Sequence, residues 1–209
     1  MRKLIMAVAS VCVAVSSCST KTEVAILPAE DFTKNIDGKQ VSLYTLKNGD
    51  LTMQVTNFGA RVVTLWAPDR DGNYEDVVLG YEKIDRYVNN SGERFLGAVV
   101  GPYANRIAGG TYSIGDQTYT FPQNNNGQTL HGGLRGLDMV VWDVEHVSDN
   151  AITLHLVSPD GTDGFPGNLD ILMTYTLTPE NEFEVTYHAK SDKKSIVNLS
   201  HHSFFNLKG

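Results

Sequence analysis

The sequence predicts an all-β protein, a large antiparallel β-sandwich, on three observations. Apolar and polar residues alternate with period two along most of the chain. Gly- and Asp-rich turn signals separate the alternating runs. No window of about a dozen residues carries the i, i+3, i+4 stripe of an amphipathic helix. Nineteen glycines and nine tyrosines suit a chain of many short strands and tight turns.

The N-terminus stands apart from this pattern. Arg2 and Lys3 precede an apolar run from Leu4 to Val15, broken only by Ser10. Such a run is too short to cross a bilayer and has the length of a secretory signal. Both cysteines of the chain lie here. Cys12 is inside the run. Cys18 follows Val15-Ser16-Ser17, which resembles a bacterial lipobox, the motif whose cysteine becomes the lipidated first residue of the mature chain. The other reading is an ordinary signal peptide, with Cys18 left as a free thiol. The expected organisation is a signal peptide over residues 1–17, a polar tether over 18–34 and one domain over 35–209. The protein is then exported and anchored in a membrane through Cys18, on a periplasmic or cell-surface face. No cysteine follows Cys18, so the domain must rest on burial and hydrogen bonds.

The strands are expected in the following order. Val41 to Leu46 alternates, and Asn48-Gly49-Asp50 turns it into Leu51 to Thr56, a hairpin signal. Arg61 to Ala67 is a further apolar run, closed by Pro68 and the turn Asp69 to Gly72. Residues 82–92 have room for one short helical turn. Tyr112 to Ile114, Gly115-Asp116 and Gln117 to Phe121 form a second hairpin. Ala151 to Ser158, Ile171 to Leu177 and Glu182 to Ala189 alternate cleanly. Ser195 to Leu207 is the last strand.

Composition and motifs narrow the function. A net charge of −7 argues against non-specific nucleic-acid binding, which needs a basic surface. No Gly-x-Gly-x-x-Gly, Gly-Lys-Ser/Thr or Gly-x-Ser-x-Gly motif is present, so nucleotide cofactors and the usual serine hydrolase elbow are unsupported. Alternation places His146, His155 and His188 on solvated strand faces. His131 lies in Leu130-His131-Gly132-Gly133, where glycines permit close approach of a ligand; a turn histidine bonded to backbone is the other reading. His201 and His202 are adjacent and must point to opposite faces. Val197, Leu199, His201, Ser203, Phe205 and Leu207 share a mainly apolar face. Ile196, Asn198, Ser200, His202, Phe204 and Asn206 share one whose amides, hydroxyl and ring suit a carbohydrate cleft; a polar edge facing water is the alternative. Adjacent strand histidines do not converge on one ion, so no metal site is expected.

Several segments together resemble the aldose 1-epimerase family. They are Gly97-Ala-Val-Val-Gly-Pro-Tyr-Ala-Asn105-Arg106-Ile-Ala, Leu130-His131-Gly-Gly, Ser158-Pro-Asp-Gly-Thr-Asp-Gly-Phe165-Pro-Gly and Asn198-Leu-Ser-His-His202-Ser-Phe-Phe-Asn206. Asn57-Phe-Gly-Ala60 and Asp76-Val-Val-Leu-Gly-Tyr81 fit as well. The resemblance covers roughly residues 35–209. It implies the galactose mutarotase-like supersandwich and cofactor-free interconversion of the α and β anomers of an aldose such as galactose or glucose. It places the family's proton-donating histidine at His202, its partner histidine at His131, and its sugar-binding arginine at Arg106 with Asn105 beside it.

The chain departs from the family pattern in three respects. His201 stands where an amide is usual, and Phe204 where a tyrosine is common. The family's general-base glutamate and a sugar-binding aspartate fall beyond Gly209, so the domain is expected to be C-terminally truncated. Val197, Leu199, Phe205 and Leu207 are then expected to lack covering strands, and the chain alone to be poorly soluble and inactive. The competing function is a carbohydrate-binding lipoprotein without turnover. A sugar-phosphate substrate is a third, for which only Arg106 and Arg135 offer cations.

Overall fold

The structure, a computed structural model, describes residues 24–208. The expected signal peptide and Cys18 lie outside the described residues. Two four-stranded antiparallel sheets form the body. The first contains β3 (Leu43–Asn48), β4 (Leu51–Thr56), β5 (Arg61–Pro68) and β6 (Tyr74–Asp76) in chain order, after a small hairpin of β1 (Lys34–Ile36) and β2 (Lys39–Val41). The second contains β12 (Asp143–Val147), β13 (Ala151–Ser158), β14 (Leu169–Leu177) and β15 (Phe183–Ser191), also in chain order. Between them run a short helix α1 (Ile84–Val88) and the two-residue strands β7 (Val99–Val100), β8 (Arg106–Ile107) and β11 (Thr129–Leu130). The hairpin β9 (Thr111–Ile114) and β10 (Gln117–Thr120) lies between β8 and β11, and β16 (Ser200–His201) closes the chain.

The alternation read from the sequence becomes burial. In β13, Ile152, Leu154 and Leu156 face inward; in β14, Leu169, Ile171, Met173, Tyr175 and Leu177 do. They join Met53, Val55, Val62 and Leu65 of the first sheet in one core, so the sheets pack face to face. Trp142 is fully buried in that core, its indole N–H donating to the Leu137 carbonyl at 3.1 Å. Both predicted hairpins form, with Asn48 paired to Leu51 across Gly49-Asp50 and Ile114 paired to Gln117 across Gly115-Asp116.

All six residues of β4 are buried, because the outer face of the first sheet is covered too. Phe32, Val41, Phe58, Val63, Ile84 and Tyr87 form a second apolar cluster there. The Gln54 amide donates to the Leu27 carbonyl at 3.1 Å and accepts from the Leu27 N–H at 2.9 Å. Packing therefore begins before residue 35. The tether expected over 18–34 is, from Leu27 on, part of the domain, since Phe32 is drawn into an apolar cluster that would otherwise stay wet.

The expected strand from Ser195 to Leu207 is corrected to something shorter. Only Ser200 and His201 pair, with Val100 and Val99. Asn198 bridges to Tyr103 and Phe205 to Val78. Three partners each claim a few residues, so the segment bends between them instead of running straight. Strict alternation fails at its ends: Ile196 is buried, while Val197, Phe205 and Leu207 are 42%, 55% and 83% exposed. Leu199 packs against the main core.

Candidate functional site

His131 and His202 arrive from different parts of the chain. β8 and β11 pair antiparallel, with Arg106 opposite Leu130. One step beyond that ladder, the His131 N–H donates to the Asn105 carbonyl at 3.0 Å, and the Asn105 N–H donates to His131 Nδ1 at 3.0 Å. Both residues sit in the left-handed region, Asn105 at φ 63° and His131 at φ 51°. An asparagine tolerates this; a histidine needs the surroundings to impose it. Gly132 then passes so close to the Gly101 carbonyl that a Cβ would lie 1.7 Å from its oxygen, at φ +90°. The Asn124 side chain fastens the loop, donating to the Leu130 and Gly133 carbonyls at 3.0 and 2.9 Å and accepting from the Leu130 N–H at 2.7 Å.

His202 is held by its backbone, its N–H donating to the Ala98 carbonyl at 2.8 Å and its carbonyl accepting from the Gly97 N–H at 3.2 Å. Its ring meets that of His131 edge to face, centroids 4.9 Å apart. Phe95 touches both, at 4.6 Å from His131 and 5.7 Å from His202, and Phe204 flanks His202 at 5.1 Å. His201 points the other way, between Tyr175 and Phe183. It bonds the Tyr175 hydroxyl through Nδ1 at 3.0 Å and the Ser203 hydroxyl through Nε2 at 2.6 Å. The opposite facing of the two histidines is as the sequence predicts.

The Arg106 side chain is exposed beside this pair. Its Nη1 donates to Asn105 Oδ1 at 3.2 Å, and its Nε and Nη2 donate to Asn125 Oδ1 at 3.3 and 3.1 Å. A guanidinium has five N–H donors, so these bonds orient it while leaving donors for a ligand. Burial, reinforced by His202, Arg106 and Arg94, lowers the His131 pKa to about 4. At neutral pH its ring is therefore uncharged. Since Nδ1 accepts from Asn105, the proton sits on Nε2, and His131 is a fixed hydrogen-bond donor. The structure thus brings His131, His202, Asn105 and Arg106 together on one partly open surface. His146 and His188 are exposed, and His155 bonds Asp170 on the outside of the second sheet, all away from this group. Among the described residues no three His, Cys, Asp or Glu side chains gather as a metal site.

Sequence reasoning missed Phe95 and the charges behind it. Arg61 is fully buried, its Nη1 donating to the Arg94 and Leu96 carbonyls and its Nη2 to the Asp138 carbonyl, each at 2.9 Å. The Asp138 carboxylate, also buried, takes a forked pair from Arg94 at 2.7 and 3.0 Å. A signal was present: Arg61 opens a strand that is otherwise uncharged and mostly apolar, and a charge in a buried strand must find partners.

The fold is an antiparallel β-sandwich that presents two apposed histidines beside an arginine and an asparagine on a partly open surface. Residues 42–209 match the aldose 1-epimerase family, and the chain belongs to it. It is 38% identical over 172 residues to galactose mutarotase of Mus musculus, an alignment covering 82% of this chain and 49% of that protein. It is 36% identical over 174 residues to aldose 1-epimerase of Escherichia coli K12, covering 83% of this chain and 50% of the other. Solved structures share the fold. An aldose epimerase homologue from C. elegans superposes with a TM-score of 0.75 at 30% identity, over 79% of this chain and 51% of that one. Galactose 1-epimerase from Lactobacillus acidophilus does so at 0.72 and 32% identity, over 83% and 51%. The chain spans about half the length of the relatives it matches.

Proposed function

We propose that this chain carries the acid side of an aldose 1-epimerase, opening and reclosing the ring of an aldose such as galactose or glucose. The observation that carries this is the edge-to-face apposition of His131 and His202, with Arg106 and Asn105 at its margin. Ring opening removes the proton of the anomeric hydroxyl and breaks the bond from C1 to the ring oxygen, which must be protonated. His202 gives that proton, and takes it back when the open aldehyde has turned about C1–C2 and closes on its other face. An imidazole can do both near neutral pH. Neutral His131 offers its Nε2–H as a hydrogen bond to a sugar oxygen. Arg106 and Asn105 hold neighbouring hydroxyls. The base that takes the anomeric proton is, by the family resemblance, a glutamate in the half of the relatives that this chain does not match.

Polarimetry on freshly dissolved α-galactose tests this in the protein that carries this chain. His202→Ala should slow interconversion by about a hundredfold or more, the usual weight of a general acid. His201→Asn should keep most of the rate. The reverse ranking would sink the assignment.

A second reading, sugar binding without turnover, is favoured by how the nearby carboxylates are engaged. Glu93 accepts from the Phe95 N–H, and Asp163 accepts from the Leu134 and Arg135 N–H groups. Bound sugar with no catalysed equilibration would select that reading. We further propose that the protein is exported and anchored through a lipid on Cys18. Cys18→Ala should then move it from the detergent phase to the aqueous phase; equal partitioning of both forms would refute the anchor.

A further inference from the structure

The two histidines are brought together by loops rather than by long strands, and something must hold those loops. The His131 loop contains Gly132 and Gly133, both at positive φ, and so has little stiffness of its own. Phe95, which touches both imidazoles, lies in an irregular stretch between α1 and β7. One guanidinium reaches all of these parts. Arg94 grips both oxygens of the buried Asp138 carboxylate, the paired geometry in which a charge-assisted bond is strongest. From that seat its Nη2 donates to the Leu134 carbonyl at 3.2 Å, and its Nη1 approaches the Gly133 carbonyl at 3.5 Å. Its guanidinium carbon lies 5.0 Å from the centre of the Phe95 ring.

Arg61 completes the arrangement from below. Were Asp138 there only to neutralise Arg61, the two would make the shortest contact. Instead the Arg61 Nη2 stands 3.8 Å from the carboxylate, and its Nη1 and Nη2 serve backbone carbonyls, including those on either side of Phe95. The carboxylate is kept for Arg94. A plain stabilising ion pair has no need of bonds to the loop after His131; a clamp does.

We propose that Arg94 is a positioning residue of the histidine site: seated on Asp138, it fixes Phe95 and the loop 131–134 so that the imidazoles of His131 and His202 meet. Only the kinetic part of this proposal rests on the anomer-exchange reading. The test uses Arg94→Ala and Arg94→Lys. Amide hydrogen exchange followed by mass spectrometry should show segment 130–136 exchanging about tenfold faster or more in Arg94→Ala, with β13 and β14 as protected as before. The rate constant for anomer interconversion should fall by about ten- to a hundredfold while KM changes less, as expected for reacting groups out of place. Millimolar guanidinium should restore part of the rate of Arg94→Ala, leaving the wild type unaffected. Arg94→Lys should behave like Arg94→Ala without guanidinium, because an ammonium is a point charge and lacks the fork. If Arg94→Ala fails to fold, Arg94→Lys, which keeps charge and stem, carries the exchange and kinetic measurements.

Unchanged exchange in 130–136, or faster exchange spread equally over β13 and β14, would overturn the proposal. So would an unchanged rate, or loss of rate that guanidinium leaves untouched in a folded Arg94→Ala. A wild-type protein with no anomer exchange would refute the proposed function instead, and the exchange measurement would still decide the role of Arg94.

Discussion

His131 and His201 are both held as neutral rings, and they carry their protons on opposite nitrogens. The Tyr175 hydroxyl donates its single proton to the Ala60 carbonyl at 2.8 Å, so toward His201 it can only accept. His201 therefore bears its proton on Nδ1 and takes the Ser203 hydroxyl proton on Nε2. His131 accepts on Nδ1 and bears its proton on Nε2. Burial, with His202 adding to it, lowers His201 to about 4, like His131. The unfolded chain binds these protons from about pH 6.5 downward. The folded state resists them, so stability is complete above about pH 6.5 and declines as pH falls toward 4. Asp69, Asp160 and Asp192 are held below their ordinary value by hydrogen bonds and titrate beneath this window. Asp76, raised by burial, works in the opposite direction. Melting temperatures at pH 7 and 4.5 should drop more for the wild type than for His201→Asn, which removes one titrating ring and leaves the carboxylates unchanged. An equal drop would show that His201 does not contribute.

The loop after β11 is an element whose shape is fixed from outside itself. Gly132→Ala would combine a strained φ with a clash against the Gly101 carbonyl, both of which are backbone and cannot step aside. It should cost at least about 1–3 kcal/mol, the strain term alone, and abolish most of the proposed anomer exchange; a variant with wild-type melting temperature and rate would show the loop to be pliable. Which elements were legible follows from the same distinction between local and distant causes. β13 and β14 could be read because side chains alternate strictly between core and solvent on strands that pair with their chain neighbours. His131 stood out in its glycine setting, and His202 on a face of amides. The segment from Ser195 could not be read as it is, since its three pairing partners are far away in the chain. Phe95 and Arg94 were hidden because Glu93-Arg94 after a Ser-Gly turn has the look of a solvated loop. Asp138 likewise has no local mark of burial. Nor could the Asn105–His131 bond be foreseen, because it depends on two left-handed residues meeting across a two-residue ladder.

At the scale of the whole molecule, the sandwich has a closed side and an open one. The first sheet is covered on both faces. Among the described residues β15 is an edge of the second sheet, paired with β14 alone, and Val197, Phe205 and Leu207 are exposed near the last paired segment. Edges and apolar patches of this kind associate. The isolated chain should sediment as a mixture whose mean mass rises with concentration. Phe205→Ser with Leu207→Lys should lower that mass, and a concentration-independent monomer in the parent chain would remove the argument. The closed side has a different consequence. Gln54 clasps Leu27 in both directions, which makes that residue, among the described residues, an early point at which the chain is fastened to the domain. Nine peptide steps separate it from Cys18, and by whatever path they run they span no more than roughly 30 Å at about 3.3–3.6 Å per residue. A lipid at Cys18 would thus hold the protein on a short leash, about one domain diameter from the bilayer. It would sample a thin layer of solution next to the membrane, where sugars arriving through that membrane would first meet it.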